Sequence, residues 1–133
     1  MKLILCLDKD NGMLFNHRRL SQDRNMMLDM STMIKSDKIY MNDYSYDLYQ
    51  NLDCPNKIVV ESLDNIDDYC LIENQEIKDI SNVEQVIIYN WNRKYPADLY
   101  FPISLLEKWN IKETYDFAGT SHDVITKTVY ERG

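Results

Sequence analysis

Glycine is scarce in this sequence. Only Gly12, Gly119 and Gly133 occur in 133 residues. P-loop enzymes and Rossmann dinucleotide binders need several closely spaced glycines to bring backbone amides against phosphate, so both classes are excluded. Cysteine is nearly as rare. Cys6, Cys54 and Cys70 are odd in number, far apart and without a C-x-x-C pair, which excludes a disulfide framework and a zinc ribbon. They read as buried thiols in a reducing compartment. Cations are in deficit, with Lys+Arg 15 against Asp+Glu 22 and a formal net charge of -7. That balance denies the chain the broad basic footprint of a duplex-DNA binder, so any anion site must be local. Long apolar runs are missing too. Leu3 to Leu7 is cut off by Asp8, too short for a signal-peptide core or a membrane span. The expectation is a cytoplasmic protein with no membrane partner.

What remains is ample for a core. With 44% hydrophobic and 28% charged residues, residues 1–133 read as a single globular domain. There is no internal repeat, low-complexity stretch or Pro/Gly/Ser linker to suggest a second. Lys2–Asp8 is apolar and bounded by charge, the pattern of a central strand buried on both faces. Asp10-Asn11-Gly12 supplies turn chemistry, Asn16–Leu20 is a polar, basic loop, and Ser21 is a helix N-cap residue. A helix is predicted from about Gln22. Its Met26, Met27, Met30, Met33 and Ile34 fall on one face at three- and four-residue spacing and should pack on a sheet. Further strands are predicted at Lys38–Met41, Lys57–Glu61, Tyr69–Glu73 and Gln85–Tyr89, and helical turns at Asp43–Gln50 and Ser62–Asp67. Asn74–Asn82 is too polar for a helix. Lys112–Phe117 and Val124–Glu131 alternate in residue type around Ala118–His122 and suit an edge hairpin. The fold class is therefore α/β: a mixed, mostly parallel sheet with a C-terminal antiparallel hairpin and few flanking helices.

These residues, in this order, carry a likeness. Leu3-Ile4-Leu5-Cys6-Leu7, Asn11-Gly12-Met13 and Leu20-Ser21-Gln22-Asp23 resemble the start of dihydrofolate reductase. Asp98-Leu99-Tyr100-Phe101-Pro102, Lys108-Trp109, Thr120-Ser121-His122 and Val129-Tyr130-Glu131-Arg132 resemble the last third of its bacterial members. The resemblance spans almost the whole chain and implies the reductase fold. It also implies a substrate-side carboxylate, which falls on Asp23, and a mobile loop clasped by two later loops, which falls on Gly12, Asp98 and Ser121. The cofactor elements depart from it. Where the reductases carry Gly-Arg-x-Thr for the cofactor phosphates, this chain has Asn42-Asp43-Tyr44-Ser45. Where they have a glycine pair against the pyrophosphate, it has Ile72-Glu73-Asn74-Gln75. An aspartate or glutamate there repels phosphate, and the side chains obstruct the approach that glycine allows. The arginine for the folate carboxylate is replaced around Pro55-Asn56. No cofactor is expected, and ordinary NADPH-dependent folate reduction is not.

Two histidines offer chemistry. His17 sits beside Asn16, Arg18, Arg19 and Arg24, and His122 beside Thr120 and Ser121; the resemblance brings their loops together. Arg93 and Trp91 lie in a third loop, Asn90–Pro96, that should approach them, giving cations and an aromatic face for a planar group. Arginine binds carboxylate or phosphate through paired charge-assisted bonds, and exposed histidine titrates near neutrality. The leading expectation is a non-reductase binding protein that engages an anionic small molecule, nucleotide or protein partner through this cluster. An enzymatic alternative uses the same loops, either as a divergent reductase with Asp23 as proton donor or as a metal-independent phosphodiesterase with His17 and His122 as base and acid. A third reading is an inhibitor or adaptor that holds a cationic partner in a groove edged by Asp43, Asp47, Asp53 and Glu73. Against all three stands a structural reading, in which the arginines pair with Asp23, Asp98 or Asp116 and the histidines satisfy loop carbonyls. Asp8, Asp10, Asp23 and Asp29 do not converge in the pattern of a metal site. Tyr40, Tyr44, Tyr46, Tyr49, Tyr69 and Tyr89 read as half-buried packing residues.

Overall fold

The computed structural model describes residues 1–133. At its centre lies β1 (Lys2–Leu7), paired in parallel with β6 (Tyr69–Leu71) on one side and β7 (Gln85–Asn90) on the other. Flanked on both edges, the apolar run Leu3–Leu7 buries both faces, and Leu3, Ile4, Leu5 and Leu7 are all buried. The sheet continues through β4 (Ile39–Met41) to β5 (Lys57–Val59), and beyond β7 through β10 (Ile125–Glu131) to β9 (Asn110–Phe117). Its order is β5-β4-β6-β1-β7-β10-β9. The last two strands form the expected antiparallel hairpin, and β10 also runs antiparallel to β7.

Alternation along β1 divides the interior. Ile4 joins Met26, Met30 and Ile34 of α1 (Arg24–Ile34) in one core, with Met27 and Met33 partly buried against it, so the methionine face packs on the sheet as its spacing predicts. Leu3, Leu5 and Leu7 face a second core. No α-helix covers that side. The irregular segments 60–68 and 72–83 on either side of β6 do so instead, sending Leu63, Ile77, Ile80 and Val83 inward. Ser62–Asp67, expected to be a helical turn, belongs to this irregular cover, because Leu63 must point down while Asn65 turns through a left-handed φ of 57°. Asp43–Tyr49 is helical (α2), capped by the Asn42 side chain, which accepts from the Ser45 amide at 3.0 Å. Across the other face, buried Lys127 of β10 pairs with Asp29 of α1 at 3.1 Å, and the Tyr89 and Tyr115 hydroxyls donate to the same carboxylate, tying helix to hairpin. Tyr49, Tyr69 and Tyr89 are thus fully packed residues rather than half-buried ones. All three cysteines are free, and no helix is long and apolar enough to cross a membrane.

Two local expectations are corrected. Residues 16–20 were expected as loop, but a small sheet forms there: β2 (Gly12–Phe15) between β3 (Arg18–Arg19) and β8 (Leu99–Tyr100). Asn16 and His17, at φ 50° and 63°, make the two-residue turn that matches strand twist. The helix starts at Arg24, not Gln22, and its N-cap is Asp23 rather than Ser21.

A chain poor in glycine must fill its left-handed positions otherwise. Asn11, Asn16, His17, Lys35, Asn65 and Asn92 do so, while neither Gly12 nor Gly119 has a positive φ. Those two glycines serve close approach. A Cβ on Gly12 would lie 2.7 Å from the Ala97 Cβ, and one on Gly119 would lie 2.5 Å from the Asp23 Oδ2. Lys35 ends α1 at φ 53° and ψ -119°, a conformation that strains any residue with a Cβ by about 1–3 kcal/mol. Lys35→Gly is therefore expected to stabilise the protein by about 1 kcal/mol, after glycine's own entropic cost is subtracted. The check is a raised denaturant midpoint at unchanged slope.

Candidate functional site

The loops at the C-terminal end of β1 are fastened by three carboxylates. Asp8 accepts the amides of Gly12 at 2.7 Å, Asp10 at 2.9 Å and Tyr95 at 3.0 Å, closing the first turn and pinning the 91–96 loop. Asp98 accepts the Asn16 amide at 3.0 Å. Asp23 holds the β9–β10 loop. It takes the amides of Thr120 at 3.1 Å and Ser121 at 2.8 Å, as well as Met26 in its own helix at 3.1 Å. The expected clasp is therefore divided: Asp98 reaches the β2–β3 turn, Gly12 is tied to Asp8, and Ser121 is tied to Asp23.

Asp23 is 2% exposed. Burial alone would raise its carboxyl, but the amide donors and His122 outweigh burial and hold it down at about 2. It is a fixed anion. His122, 5% exposed, places Nδ1 3.0 Å from the Asp23 Oδ2 and Nε2 3.1 Å from the Ser21 Oγ and 2.9 Å from the Tyr95 hydroxyl. Trp91 lies flat on the imidazole, with centroids 4.6 Å apart and planes 19° from parallel. Trp91 is 2% exposed, so the face expected to receive a ligand is already stacked on histidine. His17 stands in different surroundings, exposed at the β2–β3 turn. The structure gives the two histidines no common environment of the kind a base and acid pair across one phosphodiester requires.

The arginines also divide. Arg19 does not meet Asp23, Asp98 or Asp116. Its Nε and Nη2 make a bidentate pair with Glu73 at 2.9 and 3.0 Å, and its guanidinium lies 4.6 Å over the Tyr44 ring. Ser45 donates to the same carboxylate at 2.9 Å. Glu73 is 5% exposed, so it is not part of an open acidic edge; only Asp43, Asp47 and Asp53 of that set are exposed. Arg18, Arg24 and Arg93 stay exposed. Arg18 lines a cleft of about 340 Å³ with Phe15, Asn16, Leu20, Tyr95 and Pro96. Arg24, with Ser121, borders a larger one of about 780 Å³ between α1 and residues 48–53. Arg93 gives its carbonyl to the Lys9 amide and leaves its side chain in solvent. The Cys6 thiol is pushed up to about 12 by burial and the nearby Glu73 charge, which leaves it protonated and no nucleophile.

No protein-family model and no curated sequence matches the chain. A solved structure does, with a TM-score of 0.70, 11% identity, and coverage of 99% of this chain and 95% of the other. It is the dihydrofolate reductase of Enterococcus faecalis complexed with NADP(H) and RAB-propyl. The chain has a dihydrofolate-reductase-like fold. The mixed sheet, the C-terminal hairpin and the paucity of helices expected from the sequence are those of that fold. Four residues that organise this reductase-like chain were not foreseen in their roles. Tyr95, Ser21 and the Glu73–Ser45 pair reach their partners across 27 to 101 positions of sequence. The available signal was weak: a serine two positions before an aspartate, and a Ser-His dipeptide a hundred residues later.

Proposed function

We propose that this reductase-like chain is a binding protein for a small anionic ligand, seated in the cleft beside Arg18, and not an NADPH-dependent reductase. One observation carries the reading: the ion pair of Arg19 with Glu73, locked by Ser45 and Tyr44. Its residues occupy the two elements at which the reductases are expected to hold the cofactor phosphates. Asn42 is spent on capping α2, Asp43 is an exposed anion in its first turn, and buried Glu73 replaces the approach glycine. Asp43 repels a polyphosphate, and the Arg19–Glu73 pair, already neutralised, offers it no free cation, so the residues present do not fit NADPH. Asp23 points the same way, because a carboxyl held at about 2 has no proton to give at neutral pH. Three cysteines, odd in number and with none paired, support a reducing compartment, the cytoplasm.

The cleft has the size for one small metabolite, and Arg18 supplies an unpaired cation at its wall. Melting temperature in the presence of NADPH, NADH, nucleotides, short RNA and small carboxylates tests the reading. A ligand at a hundredfold excess over its dissociation constant adds about 2.7 kcal/mol to native stability. An anion is expected to raise the melting temperature, and the rise is expected to vanish in Arg18→Ala while Arg93→Ala, outside the cleft lining, leaves it unchanged. A clear NADPH shift would restore the reductase reading.

A further inference from the structure

We propose that Ser21 is the nucleophile of a hydrolytic site, activated by His122 and Asp23, that cleaves small carboxylic esters. The geometry is a continuous relay of acceptor, base and hydroxyl: Asp23 Oδ2 to His122 Nδ1 at 3.0 Å, and His122 Nε2 to Ser21 Oγ at 3.1 Å. Aspartate, held by the amides of Thr120, Ser121 and Met26, cannot leave its place. It selects the tautomer in which Nδ1 carries the proton, so the Nε2 lone pair faces outward to the hydroxyls. Trp91 fixes the plane of the ring and covers one face against water. Every element of the relay is thus oriented by a neighbour, which distinguishes it from a histidine that merely satisfies a carbonyl.

Tyr95 is the fourth member. Its hydroxyl lies 2.9 Å from Nε2 and 3.3 Å from the Ser21 Oγ, and its ring lines the Arg18 cleft. Ser21 does not itself line the cleft; it stands behind two residues that do, Leu20 beside it in sequence and Tyr95 at 3.3 Å. An ester carrying a carboxylate would place its anion at Arg18 and its carbonyl toward Ser21. This choice of substrate rests on the reading of the cleft given above, whereas the identity of the nucleophile does not.

The step balances with water as the only co-reactant. Ser21 Oγ bonds to the carbonyl carbon while its proton passes to His122 Nε2, and the carbonyl π pair moves onto oxygen. The intermediate collapses with rupture of the carbon–alkoxy bond, and the departing alkoxide takes the proton from Nε2. Water then attacks the Ser21 ester by the same proton route, releasing the carboxylic acid and restoring the hydroxyl. The amides of Gln22 and Asp23, next in sequence after Ser21, make no hydrogen bond within the chain and are free to donate to the oxyanion.

The test is reaction of the whole protein with diisopropyl fluorophosphate, located by peptide mass spectrometry, beside hydrolysis of p-nitrophenyl acetate and of the p-nitrophenyl monoester of succinate. The expected result is an adduct on Ser21 and turnover of both esters. Both should disappear in Ser21→Ala and drop by roughly 100-fold or more in His122→Gln. Wild-type protein that stays folded and is not modified at Ser21 overturns the proposal without reference to any variant, and so does an adduct confined to Tyr95 or to surface lysines. Arg18→Ala separates the two readings. If Ser21 is modified but the preference for the succinate ester is unchanged in Arg18→Ala, the nucleophile stands and the cleft assignment fails.

Discussion

Asp23→Ala is expected to lower the melting temperature by roughly 10–15 °C, from a loss of about 3–5 kcal/mol. The carboxylate serves four partners at once: the first turn of α1 through Met26, the Thr120 and Ser121 amides, and His122. Alanine leaves those donors buried without an acceptor, and each such group costs about 1–3 kcal/mol. The cap alone accounts for about 1 kcal/mol. Acid is expected to reproduce part of the effect. The folded carboxyl titrates at about 2 against an ordinary 3.8, so its stabilisation is complete above the ordinary value and is lost as pH falls from there toward 2. The amount is about 2 kcal/mol. Denaturant midpoints at pH 7 and pH 3 check both statements: the wild type should lose more stability between them than Asp23→Asn, which has no carboxyl to protonate. An Asp23→Ala protein that melts within a few degrees of the wild type would mean that the β9–β10 loop is held by something else.

Glu73→Ala is expected to cost a comparable 3–5 kcal/mol, for a different reason. The glutamate balances a guanidinium of which only 20% is exposed and gives the fully buried Ser45 hydroxyl its acceptor. Removing it strands a cation over Tyr44. Arg19→Ala in the Glu73→Ala background should then cost much less than it does alone, because a buried charge without its partner is worse than no charge at all. A double-mutant cycle on chemical denaturation measures this coupling. Additive effects would show that the two side chains do not act as a pair, and the case against a polyphosphate in that groove would weaken with them.

Strands and cores were legible because their signals are local. The apolar run of β1, the methionine spacing of α1 and the alternation of β9 and β10 each declare themselves within a dozen residues. Boundaries failed where a distant group decided them. Ser21 and Asp23 are both good caps, and what favours Asp23 is the arrival of Thr120, Ser121 and His122 from nearly a hundred positions away. The site was legible as a set of loops but not as an arrangement. Arg19 and Glu73, each read as an exposed charge, cancel across 54 positions; Trp91, read as a free aromatic face, is consumed by His122. Spacing reveals which side chains share an element. It does not reveal which elements close on one another, and the pairing of polar groups is settled there.

The placement of β1 has a consequence for how the chain assembles as it is made. The first strand in sequence becomes the centre of the sheet, yet its partners β6 and β7 begin at residues 69 and 85, and β10 completes the far side only at 131. During synthesis, the apolar run Leu3–Leu7 must therefore wait until residues 69–71 of β6 have emerged before either edge is paired. Pairings this remote are slow to close, since each loop must be brought together before any contact rewards it. The emerging protein thus spends its early lifetime with its most aggregation-prone strand unpaired. The charges at its two ends, Lys2 and Asp8, are then its principal protection until β6 and β7 arrive.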